Sequence, residues 1–196
     1  MEDLGFMRRF IWGLLALALI GPAQAGMIPA AVTVTPSGGA FQYAYHIELP
    51  SDYKVQTGDF FTIYDFNGLV PGTNLQPAGW SLTTSLLGPN PPHILPADNP
   101  AILNLTWTYS GATINGPSDL GEFEVNSSFG PNTIDVQFAS QDHGVLTGRA
   151  VGNYTFTSGP DDAPTPKQAP EPATWLMLMI AVPLLAVPPA FRRARR

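Results

Sequence analysis

The sequence predicts an all-β fold: a single antiparallel β-sandwich, immunoglobulin-like or jelly-roll, flanked by an N-terminal signal helix and a C-terminal transmembrane helix. Apolar and polar residues alternate with a period of two in several segments, and clusters rich in glycine and proline separate these segments. Between the two ends, no stretch keeps an apolar period of 3.6 residues over three turns. The chain has 21 prolines and 19 glycines among 196 residues. Because aromatic and β-branched residues are also plentiful, we interpret these prolines and glycines as turn residues.

The N-terminal segment has the pattern of a secretory signal peptide, which we place at residues 1–25. Two arginines precede an apolar run over 10–20, which a Gly-Pro break and the small residues Ala23 and Ala25 follow. We expect cleavage after Ala25. The apolar run would span only about 16 Å as a helix, roughly half a bilayer core, so a permanent transmembrane helix is the alternative. Acidic residues directly after Met1 are unusual in such a segment, which leaves Met7 open as the true start.

Strands are predicted throughout residues 26–157. The segments 40–49 (AFQYAYHIEL) and 101–111 (AILNLTWTYSG) alternate most clearly, with one apolar and one polar face each. Shorter signals of the same kind occur at Val32–Val34, Phe60–Tyr64, Trp80–Leu86, Glu122–Phe129, Ile134–Phe138 and Tyr154–Thr157. About eight strands of this length fit two packed antiparallel sheets.

A proline-rich, polar linker at residues 158–169 is predicted to follow the domain. Beyond it, residues 173–191 carry no charge and would span about 28 Å as a helix, just enough to cross a hydrocarbon core. We therefore predict a transmembrane helix at 173–191. Three prolines inside this span predict a kinked or shortened helix, and a buried helix of the soluble domain is the alternative.

The chain ends on a cluster of arginines that orients this predicted helix. Lys and Arg next to a membrane span favour the cytoplasmic side, which places the β-domain on the opposite side. The residues concerned are Arg192, Arg193, Arg195 and Arg196.

Residues 170–196 combine three features in order: the short motif Pro170-Glu171-Pro172, the uncharged span and the basic tail. This arrangement resembles the PEP-CTERM sorting domain of exported bacterial proteins. The resemblance implies processing by an exosortase, a membrane-embedded protease, in a Gram-negative bacterium that makes extracellular polysaccharide. It also implies a precursor held in the inner membrane and a mature protein at the cell surface or in the matrix. A stiff spacer next to the membrane is the alternative interpretation of the motif.

The distribution of charge argues against nucleic-acid binding. Between residues 26 and 168 the chain has twelve acidic residues and three basic ones, a formal charge of about −9, and such a field repels phosphate backbones. The sequence contains no cysteine, which excludes disulfides, thiol catalysis and thiolate metal sites.

No catalytic constellation is recognisable, so we assign no catalytic residue and expect no enzyme. His46, His93 and His143 are scattered singly and are expected at the surface, and no nucleophile elbow, P-loop or dinucleotide fingerprint occurs. Two carboxylates such as Asp59 and Glu122 would serve glycoside hydrolysis if the fold brought them together. The sequence does not show their separation.

Acidic residues near turns are candidate calcium ligands, because this ion takes several oxygen ligands. The best candidates are the segment Asp65-Phe66-Asn67-Gly68 together with Asp135 and Asp142. No loop matches a complete EF-hand pattern, and Asn-Gly also explains the segment as a turn. We therefore predict neither a metal nor a cofactor.

Three aromatic residues are candidates for a sugar-binding platform. Trp107 and Tyr109 alternate with polar residues on a strand and are expected in the core, whereas Trp80 follows a turn and is expected to be exposed. Trp80 is therefore the predicted ligand-binding residue.

These features predict an exported cell-surface or matrix protein with a structural or adhesive role, anchored in lipid through its tail. A carbohydrate-binding module for extracellular polysaccharide is the first alternative, and a secreted hydrolase is the second.

Overall fold

A computed structural model describes residues 26–162. These residues form ten β-strands and no helix, which confirms the all-β prediction. The strands are β1 (Ile28–Ser37), β2 (Ala40–Leu49), β3 (Tyr53–Val55), β4 (Phe60–Ile63), β5 (Trp80–Ser85), β6 (Asn104–Tyr109), β7 (Ile114–Asn115), β8 (Ser118–Ser127), β9 (Thr133–Gly144) and β10 (Ala150–Pro160). The signal helix and the transmembrane helix predicted at the two ends lie outside the described residues.

The strands form two antiparallel sheets. The smaller sheet has three strands in the order β1-β2-β8. The larger sheet has seven, in which β5, β6, β4 and β9 are neighbours and β10 pairs with the other edge of β9. β4 and β3 follow one another along a single edge of β9, and β7 pairs with β3. β9 therefore organises the larger sheet, with pairing partners on both of its edges.

The two sheets share one aromatic core. Phe61 on β4 stacks on its neighbours in the larger sheet, Trp107 on β6 at 5.1 Å between ring centroids and Phe138 on β9 at 5.5 Å. Its edge meets Phe123 of the smaller sheet at 4.8 Å and nearly a right angle, 89°. Edge-to-face and stacked arrangements at these distances are the favoured geometries of aromatic pairs. Phe61 thus connects both sheets through direct ring contacts.

Side-chain alternation explains the clearest strands. β2 has the bounds that the sequence predicts, and its apolar residues Tyr43, Tyr45, Ile47 and Leu49 are buried. β6 is buried on both faces: Leu105, Trp107 and Tyr109 lie in the core, and the Thr106 hydroxyl on the opposite face is hydrogen-bonded to the Thr62 hydroxyl at 2.9 Å. Two paired hydroxyls satisfy each other and can be buried at little cost.

The structure corrects three details of the predicted domain. β3 and β7 are additional strands of three and two residues, too short to show a period of two. β10 continues to Pro160, so the predicted domain end at 157 is too early and residues 158–160 do not belong to a linker. Their composition resembles a linker, yet they pair with residues 133–135 of β9.

We expect Phe61→Ala to lower the free energy of unfolding by about 3 to 5 kcal/mol, because it removes a fully buried ring and leaves a cavity between the sheets. Chemical denaturation followed by tryptophan fluorescence measures this change. Leu146→Ala is the matched control, since that side chain is 98 % exposed and its removal should change stability by less than about 0.5 kcal/mol. Equal effects of the two variants would contradict the central role of Phe61.

Candidate functional site

Trp80 is a core residue, and the prediction that it is exposed is wrong. Its side chain is 6 % exposed, and its ring lies 5.0 Å from Tyr109 and 5.1 Å from Phe123 between centroids. The reason is its place as the first residue of β5, directly opposite Tyr109 on β6. The core prediction for Trp107 and Tyr109 is confirmed. Trp80 therefore offers no ring to a sugar ligand.

The residues predicted to act in sorting and export lie outside the described residues. They are the signal cleavage residues Ala23 and Ala25, the motif Pro170-Glu171-Pro172, and the terminal Arg192, Arg193, Arg195 and Arg196. The predicted span at 173–191 lies outside as well. Within residues 26–162, no helix is long and apolar enough to cross a membrane.

The candidate calcium ligands do not converge. The Asp65 carboxylate accepts the backbone N–H of Asn99 at 3.0 Å, Asp135 is exposed on β9, and Asp142 is buried farther along the same strand. Burial raises the pKa of Asp65, although the Asn99 hydrogen bond opposes this effect. Within residues 26–162, no three His, Cys, Asp or Glu side chains are arranged so that they could hold a metal ion. Positive φ angles at Asp65 (56°) and Gly68 (65°) agree with the turn interpretation of the segment.

The three histidines differ in their surroundings. His46 lies on the polar face of β2, where its ring contacts Glu122 at 3.1 Å, Asp119 at 3.5 Å and Glu48 at 3.8 Å. His93 is a loop residue with a positive φ of 62°. His143 was expected at the surface, but its side chain is only 16 % exposed and its Nδ1 lies 3.0 Å from an oxygen of the fully buried Asp59.

Asp59 and Glu122, the suggested carboxylate pair, belong to different clusters. Asp59 precedes β4 in the larger sheet and also accepts the Gln56 backbone N–H at 2.9 Å. Glu122 lies on β8 in the smaller sheet and faces His46. Glu48 and Asp119 of the His46 cluster line a surface depression of about 370 Å³. When the Glu48 and Asp119 carboxylates are ionised, the depression has a net negative charge whether or not His46 is protonated. It therefore disfavours anionic ligands.

A buried polar cluster surrounds the first described residues, and we call it the Met27 cluster. The backbone N–H of Met27 donates to Asp142 Oδ2 at 2.7 Å. The Met27 carbonyl accepts hydrogen bonds from Ser140 Oγ at 3.2 Å and Asn153 Nδ2 at 2.9 Å. Ser140 and Asp142 belong to β9, and Asn153 belongs to β10. Three side chains therefore hold both backbone polar groups of one buried residue, which satisfies their hydrogen-bonding capacity away from water.

Asp142 is the unusual member of this cluster. Its residue is fully buried, and its second carboxylate oxygen, Oδ1, has no hydrogen-bond partner. Burial raises the pKa of Asp142 to about 7, and the charge of Asp59 acts in the same direction. The Met27 N–H and the charge of His143 oppose the increase. No local sequence pattern indicates this site, because its members come from three separate segments.

An aromatic pair is exposed on β10, and sequence reasoning missed it. Tyr154 and Phe156 are 37 % and 55 % exposed, with ring centroids 5.5 Å apart at 71°. Their neighbours Asn153 and Thr157 point to the buried side, so the pair occupies the opposite face of the strand. An aromatic-x-aromatic spacing in a predicted strand is the signal that could have indicated the pair.

No family model, curated protein or solved structure matches this chain. The function of this chain is therefore inferred from its own residues.

We expect the unprocessed chain, in which Gly26 is joined to Ala25, to lose stability as the pH rises from about 4 to about 7. Over this interval the unfolded Asp142 releases its proton while the folded one retains it, so a higher pH favours the unfolded state. The total loss is on the order of 4 kcal/mol. Denaturation midpoints measured across this pH range test the prediction. Asp142→Asn should flatten the profile, and Asp135→Asn, an exposed site on the same strand, should not.

Proposed function

We propose that this chain is an exported surface or matrix protein, in which a β-sandwich of the immunoglobulin-like or jelly-roll kind is displayed by a PEP-CTERM-like tail. Its role is structural or adhesive. The tail anchors the precursor in the inner membrane of a Gram-negative bacterium until an exosortase-type protease processes it.

The position of the strands along the chain is the observation that supports this proposal most directly. The ten described strands run from Ile28 to Pro160 and share one core. They lie between the predicted signal peptide, which ends at Ala25, and the predicted tail, which begins at Pro170. Met27, two residues after the expected cleavage site, already belongs to the core. The folded domain would therefore begin with the first residues of a mature chain that starts at Gly26.

The charge of the domain is compatible with display outside the cytoplasm and argues against a nucleic-acid partner. Residues 26–162 contain twelve acidic residues against Lys54 and Arg149, a formal charge of −10 with neutral histidines. A strongly negative domain remains soluble and repels phosphate backbones.

Replacing Pro170-Glu171-Pro172 by three alanines should leave an unprocessed precursor in the inner membrane, because the protease loses its extended, proline-fixed substrate. Membrane fractionation with mass spectrometry of the intact protein measures the outcome. Pro164→Ala combined with Pro166→Ala, in the preceding linker, is the matched control and should be processed normally. Normal maturation of the motif variant would remove the sorting role.

Binding of extracellular polysaccharide is the second candidate function, and the exposed Tyr154–Phe156 pair favours it. Aromatic rings that face solvent offer apolar area for contact with sugar rings, and such rings are otherwise costly to expose. The pair would have the sugar-binding role that the sequence predicts for Trp80. Its rings are closer to perpendicular than to coplanar, so one sugar unit would contact one ring face and the edge of the other.

If the pair binds polysaccharide, Tyr154→Ala and Phe156→Ala should each weaken binding by about tenfold, which corresponds to about 1.4 kcal/mol. Affinity electrophoresis in gels that contain polysaccharide from the native host measures this change. Leu87→Ala is the control, because that apolar side chain is 66 % exposed at a different position and its loss should leave binding unchanged. Unaltered migration of both aromatic variants would contradict the second candidate function.

A further inference from the structure

The residue at the expected cleavage site packs directly against the Asp142 carboxylate. Gly26 is buried, and its φ of 102° lies in a region that favours glycine. A Cβ added to Gly26 would lie 2.2 Å from Asp142 Oδ2, far inside van der Waals contact. The next residue donates its backbone N–H to the same oxygen at 2.7 Å. The start of the described chain is thus fitted closely around one carboxylate.

Among residues 26–162, this carboxylate has no salt-bridge partner. Asp142 is fully buried, its Oδ1 has no hydrogen-bond partner, and its Oδ2 is held by one neutral N–H. The charge of Asp59 repels it and the charge of His143 attracts it, but the two ring nitrogens of His143 face Asp59 and Gln56. A buried charge without a partner is strongly destabilising, whereas a paired and hydrogen-bonded one is tolerated.

Cleavage after Ala25 would create the missing charge next to this site. Hydrolysis of the amide bond between Ala25 and Gly26 consumes one water, leaves a carboxylate on Ala25 and produces an α-amine on Gly26, which takes up the released proton. The amine nitrogen is bonded to the Cα that already packs against Asp142. An amide nitrogen with one hydrogen thereby becomes an ammonium with three donors.

We propose that Asp142 is the receptor for the α-ammonium of Gly26 that signal-peptide cleavage produces, and that their ion pair fixes the start of β1 in the mature domain. The inference rests on the proposed export and on cleavage after Ala25. Its consequence is that processing changes the folded domain itself. The same carboxylate destabilises the precursor and stabilises the mature protein.

Formation of the ion pair should reverse the effect that ionisation of Asp142 has on folding stability. In the precursor, ionisation of Asp142 opposes folding because its desolvation outweighs the Met27 N–H hydrogen bond and the charge of His143. In the mature chain, the ammonium favours the ionised carboxylate, and the carboxylate in turn favours the ammonium. Asp59 and His143 are the other titratable groups that act on this site, and both are present in the two forms. The part of the difference between precursor and mature protein that disappears in Asp142→Asn therefore reports the new amine.

The first measurement is the N-terminus of the protein purified from the cell envelope of its native host. Mass spectrometry should show a mature chain that begins at Gly26. A chain that begins at any other residue would overturn both the cleavage assignment and the ion pair. A precursor for comparison is obtained with Ala25→Phe, since a bulky residue at this position blocks signal-peptide cleavage.

The second measurement is the reactivity of the Gly26 amine toward an acylating reagent, read by mass spectrometry with Lys54 as the internal reference. At pH 8 we expect acylation to be about tenfold slower in the mature wild type than in mature Asp142→Asn, because the ion pair holds the amine protonated and buried. Asp135→Asn, on the same strand but exposed, should behave as the wild type.

Two further readings distinguish the ion pair from a merely structural effect of Asp142. In the wild type alone, the dependence of acylation on pH should give the Gly26 amine a pKa above its ordinary value of about 7.7 to 8.0. This reading does not depend on whether Asp142→Asn folds. At pH 8, processing should also raise the melting temperature by about 5 °C or more in the wild type and not in Asp142→Asn. A mature chain that begins at Gly26 but whose amine shows an ordinary pKa would overturn the ion pair and leave the proposed export intact.

Discussion

The contact between the two sheets is the constraint on which the rest of the structure depends. The smaller sheet has three strands, and its apolar face is removed from water by packing on the larger sheet. Phe123 supplies the connection, because its ring meets Phe61, Trp80 and Trp107 of the opposite sheet within 6 Å. Because the chain has no disulfides, contacts in this aromatic core hold the two sheets together. The turns and loops are positioned by strands that this core fixes.

One end of the core is polar, and this explains how the chain enters the fold. Met27 packs among apolar side chains, so its backbone N–H and carbonyl are cut off from water. Side chains of β9 and β10 take over their hydrogen bonds. An acceptor for the N–H and donors for the carbonyl are required here, which accounts for a carboxylate, a hydroxyl and an amide inside the core. The carboxylate is the costly choice, and the proposed α-ammonium of Gly26 would give it a physical reason.

Local patterns predicted the elements whose properties are themselves local. β2 and the core positions of β6 were recognisable because apolar and polar residues alternate along each strand. β3 and β7 were not, since strands of three and two residues are stabilised by their neighbours and carry no pattern of their own. The last three residues of β10 have a linker-like sequence, because glycine and proline occur at strand ends as well as in spacers.

The sequence by itself determined that the domain is all-β, where β2 begins and ends, and that the domain is strongly acidic, because side-chain alternation and charge can be read residue by residue. Only the tertiary structure decided which side chains meet. It buried Trp80 against Phe123, turned His143 toward Asp59 and brought Asp142 to Met27, 115 positions earlier in the chain. The physical reason is that such contacts follow from strand register and sheet packing, which join distant segments of the chain. The sequence of a single strand does not identify the strand with which it pairs.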